Sequence, residues 1–157
     1  MFCQELATQI ATEVVPSFWD SKVKLVCVGI GTHERAIEFC RHTKFPPEYL
    51  FSDELNKVYD VLELVKSTPA TLFTDVQTPL ALAKRVREGK MEYLTSALSK
   101  WRTAMWIPPR LEQGLQQGGA FVFRGAETLY AHKDPSAGAH ADLNQILAVS
   151  LAASDRV

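Results

Sequence analysis

Three cysteines, Cys3, Cys27 and Cys40, and two histidines that flank a Pro/Gly loop, His132 and His140, are the residues best placed for chemistry in this 157-residue sequence. Leu6, Ile10 and Val14 recur at every fourth position just after Cys3, which puts Cys3 at the N-terminus of a predicted helix. Unpaired backbone N–H groups and the helix dipole favour a thiolate there. Its chemistry would be that of a reactive or resolving thiol; the competing reading is a vestigial cysteine. Cys27 lies between Val26 and Val28, and Cys40 lies on an apolar helix face beside His42. Both are read as core, because a buried cysteine packs as a small hydrophobe. An odd count without short spacings argues against a disulfide-stapled domain and against a structural zinc site, and favours a reducing compartment.

The loop at residues 134–140 also carries Asp134, and Asp142 follows it. Two histidines and a carboxylate could hold zinc or iron, but a seven-residue gap across such a loop has no recognised ligand geometry. Structural hydrogen bonding is the expectation, with Asp142 as a cap or dipole partner of the last helix. Gly29-Ile-Gly-Thr is a fragment of a dinucleotide fingerprint, without the third glycine or the ribose-binding acid. Trp101, Met105, Trp106 and Ile107 concentrate large apolar area in the middle of the chain. They either pack on the sheet or form a docking surface, and the sequence leaves both readings open.

The elements that must position these residues follow from periodicity and punctuation. A helix is expected over residues 3–15, stopped by Pro16. The apolar, β-branched run 23–30 reads as a strand buried on both faces. Thr32 caps a helix with Glu34 in its first turn, Arg41 and His42 in its last, and Ala36, Ile37 and Cys40 on its buried face. A short strand at 49–51 precedes a helix capped by Ser52 or Asp53, with Leu55, Val58, Tyr59 and Leu62 inward. Residues 76–107 read as a helical insertion too short to bury a core of its own. Gly118-Gly119 opens a hairpin of strands 120–123 and 127–132 across Arg124-Gly125. An amphipathic helix from about Ala141 ends the chain. The alternation implies one α/β domain over residues 1–157, with a central sheet flanked by helices.

Composition excludes several classes. Hydrophobic residues make up 46% and charged residues 22%, as in an ordinary globular chain rather than a disordered one. Seventeen basic against eighteen acidic residues give a net charge of −1. With no basic block, a nucleic-acid or membrane-surface partner is not expected. No apolar stretch approaches the roughly 20 residues of a membrane span. No secretory leader is read at the N-terminus. The apolar stripe begins at once with Phe2, from which we expect that residues preceding Met1 in the native protein are missing.

Three segments together resemble the AhpC/TSA-like, peroxiredoxin-like 2 family. They are Leu25-Val-Cys-Val-Gly-Ile-Gly-Thr with Glu34-Arg-Ala-Ile-Glu-Phe, then Gln117-Gly-Gly-Ala-Phe-Val-Phe, then Leu129-Tyr-Ala-His-Lys-Asp through Gly138-Ala-His-Ala-Asp-Leu. The resemblance implies a thioredoxin-like fold and a thiol-dependent antioxidant or oxidoreductase activity without metal or organic cofactor. It also implies a thiol reductant or protein partner, in the chloroplast stroma or the cytoplasm. Phe2-Cys3-Gln4-Glu5-Leu6-Ala7 is similar to the second half of the family's Cys-x-Phe-Cys-x-Glu-Leu-Ala phrase. Cys3 thus resembles the second, resolving cysteine of the pair, while the first cysteine and the strand before it are absent from the sequence. Gly118-Gly119 stands where thioredoxins have a cis-proline. The alternative is a non-catalytic thioredoxin-like subunit that docks in a larger photosynthetic or organellar assembly. An activated Cys3 is expected to react with an alkylating probe at neutral pH faster than Cys40; labelling no faster than Cys40, read by peptide mass spectrometry, removes the case for activation.

Overall fold

In the computed structural model, residues 2–68, 111–136 and 138–154 are described. The predicted insertion at 76–107, with Trp101, Met105, Trp106 and Ile107, lies outside the described residues. The first helix is α1 (Phe2–Gln9), and it does not stop at Pro16. It widens into a π-turn over Ile10–Val14 and continues as α2 (Val15–Phe18), with the Val15 N–H donating to the Ile10 carbonyl five residues back. A proline within a helix lacks an N–H and crowds the carbonyl four residues earlier; a single wide turn just upstream accommodates that ring. Side-chain hydroxyls take up backbone carbonyls along the way, Thr12 donating to Thr8 at 2.9 Å and Ser17 to Glu13 at 2.9 Å.

The strand β1 covers Cys27–Ile30 and pairs in parallel with β2 (Leu50–Asp53), Cys27 opposite Leu50 and Ile30 opposite Asp53. The strand is shorter than the run 23–30 and is not buried on both faces: its residues are half-buried and Val26 is exposed. Among the described residues β1 has one strand neighbour, and its Val28 carbonyl accepts a hydrogen bond from the Tyr59 hydroxyl at 2.8 Å. Between the strands runs α3 (His33–Thr43), begun by Thr32 in extended conformation and ended by Lys44 in the left-handed region (φ 57°). Its inward face carries Phe39, Cys40 and Thr43; Ile37, expected there, is exposed.

The turn after β2 is governed by Asp53. Its two carboxylate oxygens accept the backbone N–H groups of Lys57 at 3.0 Å and Val58 at 2.8 Å, which starts α4 (Lys57–Val61). This is the capping role read from the sequence. The helix is a single short turn, so Leu55 and Val58 remain exposed while Tyr59 and Leu64 turn inward. Residues 65–67 then run antiparallel to 115–117, with Ser67 donating to Leu115 and Gln117 to Val65, both at 2.9 Å.

After α5 (Leu111–Gly114) comes the antiparallel hairpin of β3 (Gly119–Arg124) and β4 (Glu127–Lys133). Gly125, at φ +60°, supplies the positive φ that a two-residue hairpin turn needs at its first position. A bulge between Val122 and Phe123 shifts the register. The last helix, α6 (Leu143–Ser154), begins beside Asp142, whose carboxylate accepts the Asn144 N–H at 2.9 Å, and it packs on the hairpin and on the π-turn.

The described strands therefore form two two-stranded ladders, not one continuous sheet. The core sits between α1 and α3, where Ala7, Cys40 and Phe45 are buried with Ile10, Ala11, Cys27, Phe39, Tyr49 and Leu50 around them. Val14, at the end of the π-turn, forms a second buried stretch with Val15 and Phe18. Asp53→Ala removes two backbone acceptors at once and is expected to cost about 1–2 kcal/mol of stability, measured by urea denaturation; an unchanged midpoint refutes the capping role.

Candidate functional site

Asp134 is 4% exposed and follows directly on β4. Its N–H donates to the Gly118 carbonyl at 3.0 Å, so the backbone that opens β3 and the backbone that closes β4 hold it between them. The space is narrow. A Cβ on Gly118 would come within 3.2 Å of the Asp134 Oδ2, and one on Gly119 within 2.6 Å of the His132 carbonyl. The Gly118-Gly119 pair is there because two chains and a carboxylate approach too closely for side chains.

Both histidines of the loop turn to this carboxylate. His140 Nδ1 lies 2.7 Å from Oδ2, and His132 Nε2 lies 3.3 Å from Oδ1. Carboxylate and carbonyl oxygens accept only, so the hydrogen bonds assign the protons. His140 carries one on Nδ1. His132 carries one on Nε2, which also donates to the Ala139 carbonyl at 3.0 Å. The expectation of structural hydrogen bonding across the loop is what the geometry shows. Among the described residues, no group of three or more His, Cys, Asp and Glu side chains could hold a metal ion.

Cys3 is exposed at the start of α1. Desolvation is the largest influence and raises its pKa, and the Asp134 charge raises it further, against the lowering effect of its own backbone N–H. The thiolate stabilisation expected from the helix terminus is thus outweighed. Tyr59 shares the neighbourhood: burial pushes its phenol up, and the charges of Cys3, Asp53 and Asp134 add to the effect. The loop imidazole of His140 holds the Asp134 carboxylate at the end of β4 through the 2.7 Å hydrogen bond, and the charge of that carboxylate bears on the thiol of α1 and the phenol of α4.

The other two thiols pack as expected. Cys40 is buried on α3, and Cys27 is half-buried on β1. Sequence reasoning singled out Cys3, His132 and His140 but gave Asp134 no central role and counted Tyr59 only as a core residue. One signal was present: His132 and Asp134 are two residues apart on an extended segment and so share a face. The phenol had no such signal, since its partner on β1 is 31 residues away.

The sequence model described as "AhpC/TSA antioxidant enzyme" matches residues 9–136. The "Thioredoxin-like protein AAED1, chloroplastic" of Arabidopsis thaliana is 31% identical over 129 residues, which cover 81% of this chain and 48% of that protein. The chain therefore spans about half the length of that relative. No solved structure matches.

Burial lifts the Cys27 thiol from its ordinary value of 9.0 to about 11, and the adjacent Cys40 adds to the rise. Between those values the folded state binds more protons than the unfolded chain, so stability falls as pH rises. The contribution is complete below pH 9 and is lost as the pH passes through about 11. Thermal melts should decline over that window in the native sequence and decline less in Cys27→Ala; parallel declines contradict the assignment.

Proposed function

This chain belongs to the AhpC/TSA antioxidant enzyme family, and we propose that it is a thiol-dependent redox protein whose working thiol is Cys3. The observation that carries this reading is the placement of that sulfur. It is accessible at the start of α1, within the field of a buried carboxylate, while Cys27 and Cys40 are packed against the core. A thiol-disulfide exchange needs an attacking sulfur that a partner can reach, and accessibility selects Cys3.

In this reading Cys3 acts as a resolving-type thiol. Its thiolate attacks one sulfur of a disulfide or mixed disulfide; a new S–S bond forms, the old one breaks, and the departing sulfur leaves as a thiolate. An external thiol reductant restores Cys3 by the reverse exchange. No metal or organic cofactor enters such a cycle. The thiol cycle calls for a reducing compartment, and the chloroplastic relative makes the stroma the reading we favour over the cytoplasm. No helix among the described residues is long and apolar enough to cross a membrane.

Cys3→Ser should abolish mixed-disulfide formation with hydroxyethyl disulfide, followed by intact-mass spectrometry, while Cys27→Ala and Cys40→Ala retain it. Exchange that survives Cys3→Ser assigns the activity elsewhere and overturns the reading.

A further inference from the structure

We propose that residues 22–26, the extended run leading into β1, form an edge to which a partner adds a strand bearing acidic side chains at alternate positions. The apolar block of the sequence reaches back to Val23, yet only Cys27–Ile30 is paired in a ladder, and residues 23–26 belong to no element among the described residues. Exposure alternates along the run: Lys22, Lys24 and Val26 are exposed, while Ser21, Val23 and Leu25 are half-buried. A period of two is that of extended backbone. The start of the run is held in place, the Lys22 N–H donating to the Ser154 hydroxyl at 3.2 Å and the Val23 N–H to the Ser21 hydroxyl at 3.2 Å. β1 holds the other end against β2. A partner thus meets a strand that is already ordered, which lowers the entropic cost of association.

Among the described residues, the N–H and C=O groups of Lys24 and Leu25 have no protein partner, so they are open to water or to an added strand. Charge selects which strand. Lys22 and Lys24 make no ion pair among the described residues. The acid nearest to them in sequence, Asp20, lies in the turn before the run. A second copy added antiparallel, with Val23 or Lys24 at the two-fold axis, would set lysine opposite lysine. Like charges facing across a strand pair destabilise it, and lysines on an open edge act against self-pairing. A strand with carboxylates two residues apart instead places one beside each lysine. An apolar side chain two positions further on meets Val26, which is 62% exposed. The partner pattern is therefore acid-x-acid-x-apolar, or its reverse in an antiparallel pairing. Main-chain hydrogen bonds would supply the affinity and the alternate side chains the selectivity.

The test is an amide NMR titration of the protein with the capped peptide Glu-Thr-Glu-Thr-Val and with its charge-reversed twin Lys-Thr-Lys-Thr-Val. The acidic peptide should shift the amides of residues 22–26 saturably, and the twin should bind at least about tenfold more weakly. The double variant Lys22→Glu, Lys24→Glu should exchange that preference. An added strand pairs along one edge only, so N-methylation of one alternating set of peptide residues should abolish binding while methylation of the other set leaves it. Equal binding of the two peptides, shifts confined to other residues, or binding that neither methylated form loses overturns the proposal. Self-association of the native protein, measured by sedimentation and competed away by the acidic peptide, also overturns it and gives the edge to a second copy. If the double variant does not fold, the peptide pair and the methylated forms decide on the native protein. None of these readouts involves thiol chemistry, so their failure leaves the reading of Cys3 standing.

Discussion

A carboxylate withdrawn from water is tolerated in a fold only where donors replace its hydration, and Asp134 sets that condition for this molecule. Its oxygens are served by two imidazoles and its N–H by the Gly118 carbonyl. Each partner belongs to a different piece of chain: β4, the loop after it, and the entry to β3. Satisfying one buried charge therefore fixes the hairpin base, the course of residues 134–140 and the point from which α6 departs. The glycines at 118 and 119 are the steric counterpart of the same demand, since the carboxylate and the β4 backbone occupy the volume a side chain would need.

The same charge bears on Cys3. A sulfur near a buried anion is held protonated, so proximity to Asp134 works against spontaneous ionisation of Cys3. Redox proteins commonly lower a thiol's pKa with a positive neighbour or a helix terminus. Here the helix terminus is present but is overruled by desolvation. A thiol held protonated in the resting state is protected from adventitious oxidation, which follows thiolate character.

Much of this was legible in the residues themselves. The hairpin announced itself through Gly118-Gly119 and Gly125, and Asp53 and Asp142 were readable as helix starters because acceptor side chains before an apolar run have few other uses. The family resemblance drawn from the blocks at Leu25, Gln117 and Leu129 agrees with the match over residues 9–136. What periodicity missed was everything set by distant contacts. Ile37 and Val58 carry the right spacing for a buried face and are nonetheless exposed, since nothing packs over them among the described residues. The apolar run at 23–30 predicts a doubly covered strand, but burial depends on neighbours that the run itself does not encode. The phenol of Tyr59 closing on Val28 belongs to the same category.

The wide turn at Ile10–Val14 has a consequence for how one helix serves two neighbours. An extra residue in a turn advances every following side chain by about 100° around the axis, since α-helical residues are spaced 3.6 to the turn. Ala7 thereby meets α3 with the Cys40 and Phe45 cluster, whereas the π-turn that ends in Val14 is the part of the segment that meets α6. The segment behaves like a crankshaft, its two throws set at different angles by Pro16. A strictly regular helix of the same composition would point both sets of apolar groups along a single stripe and leave one of the two flanking helices without a seat.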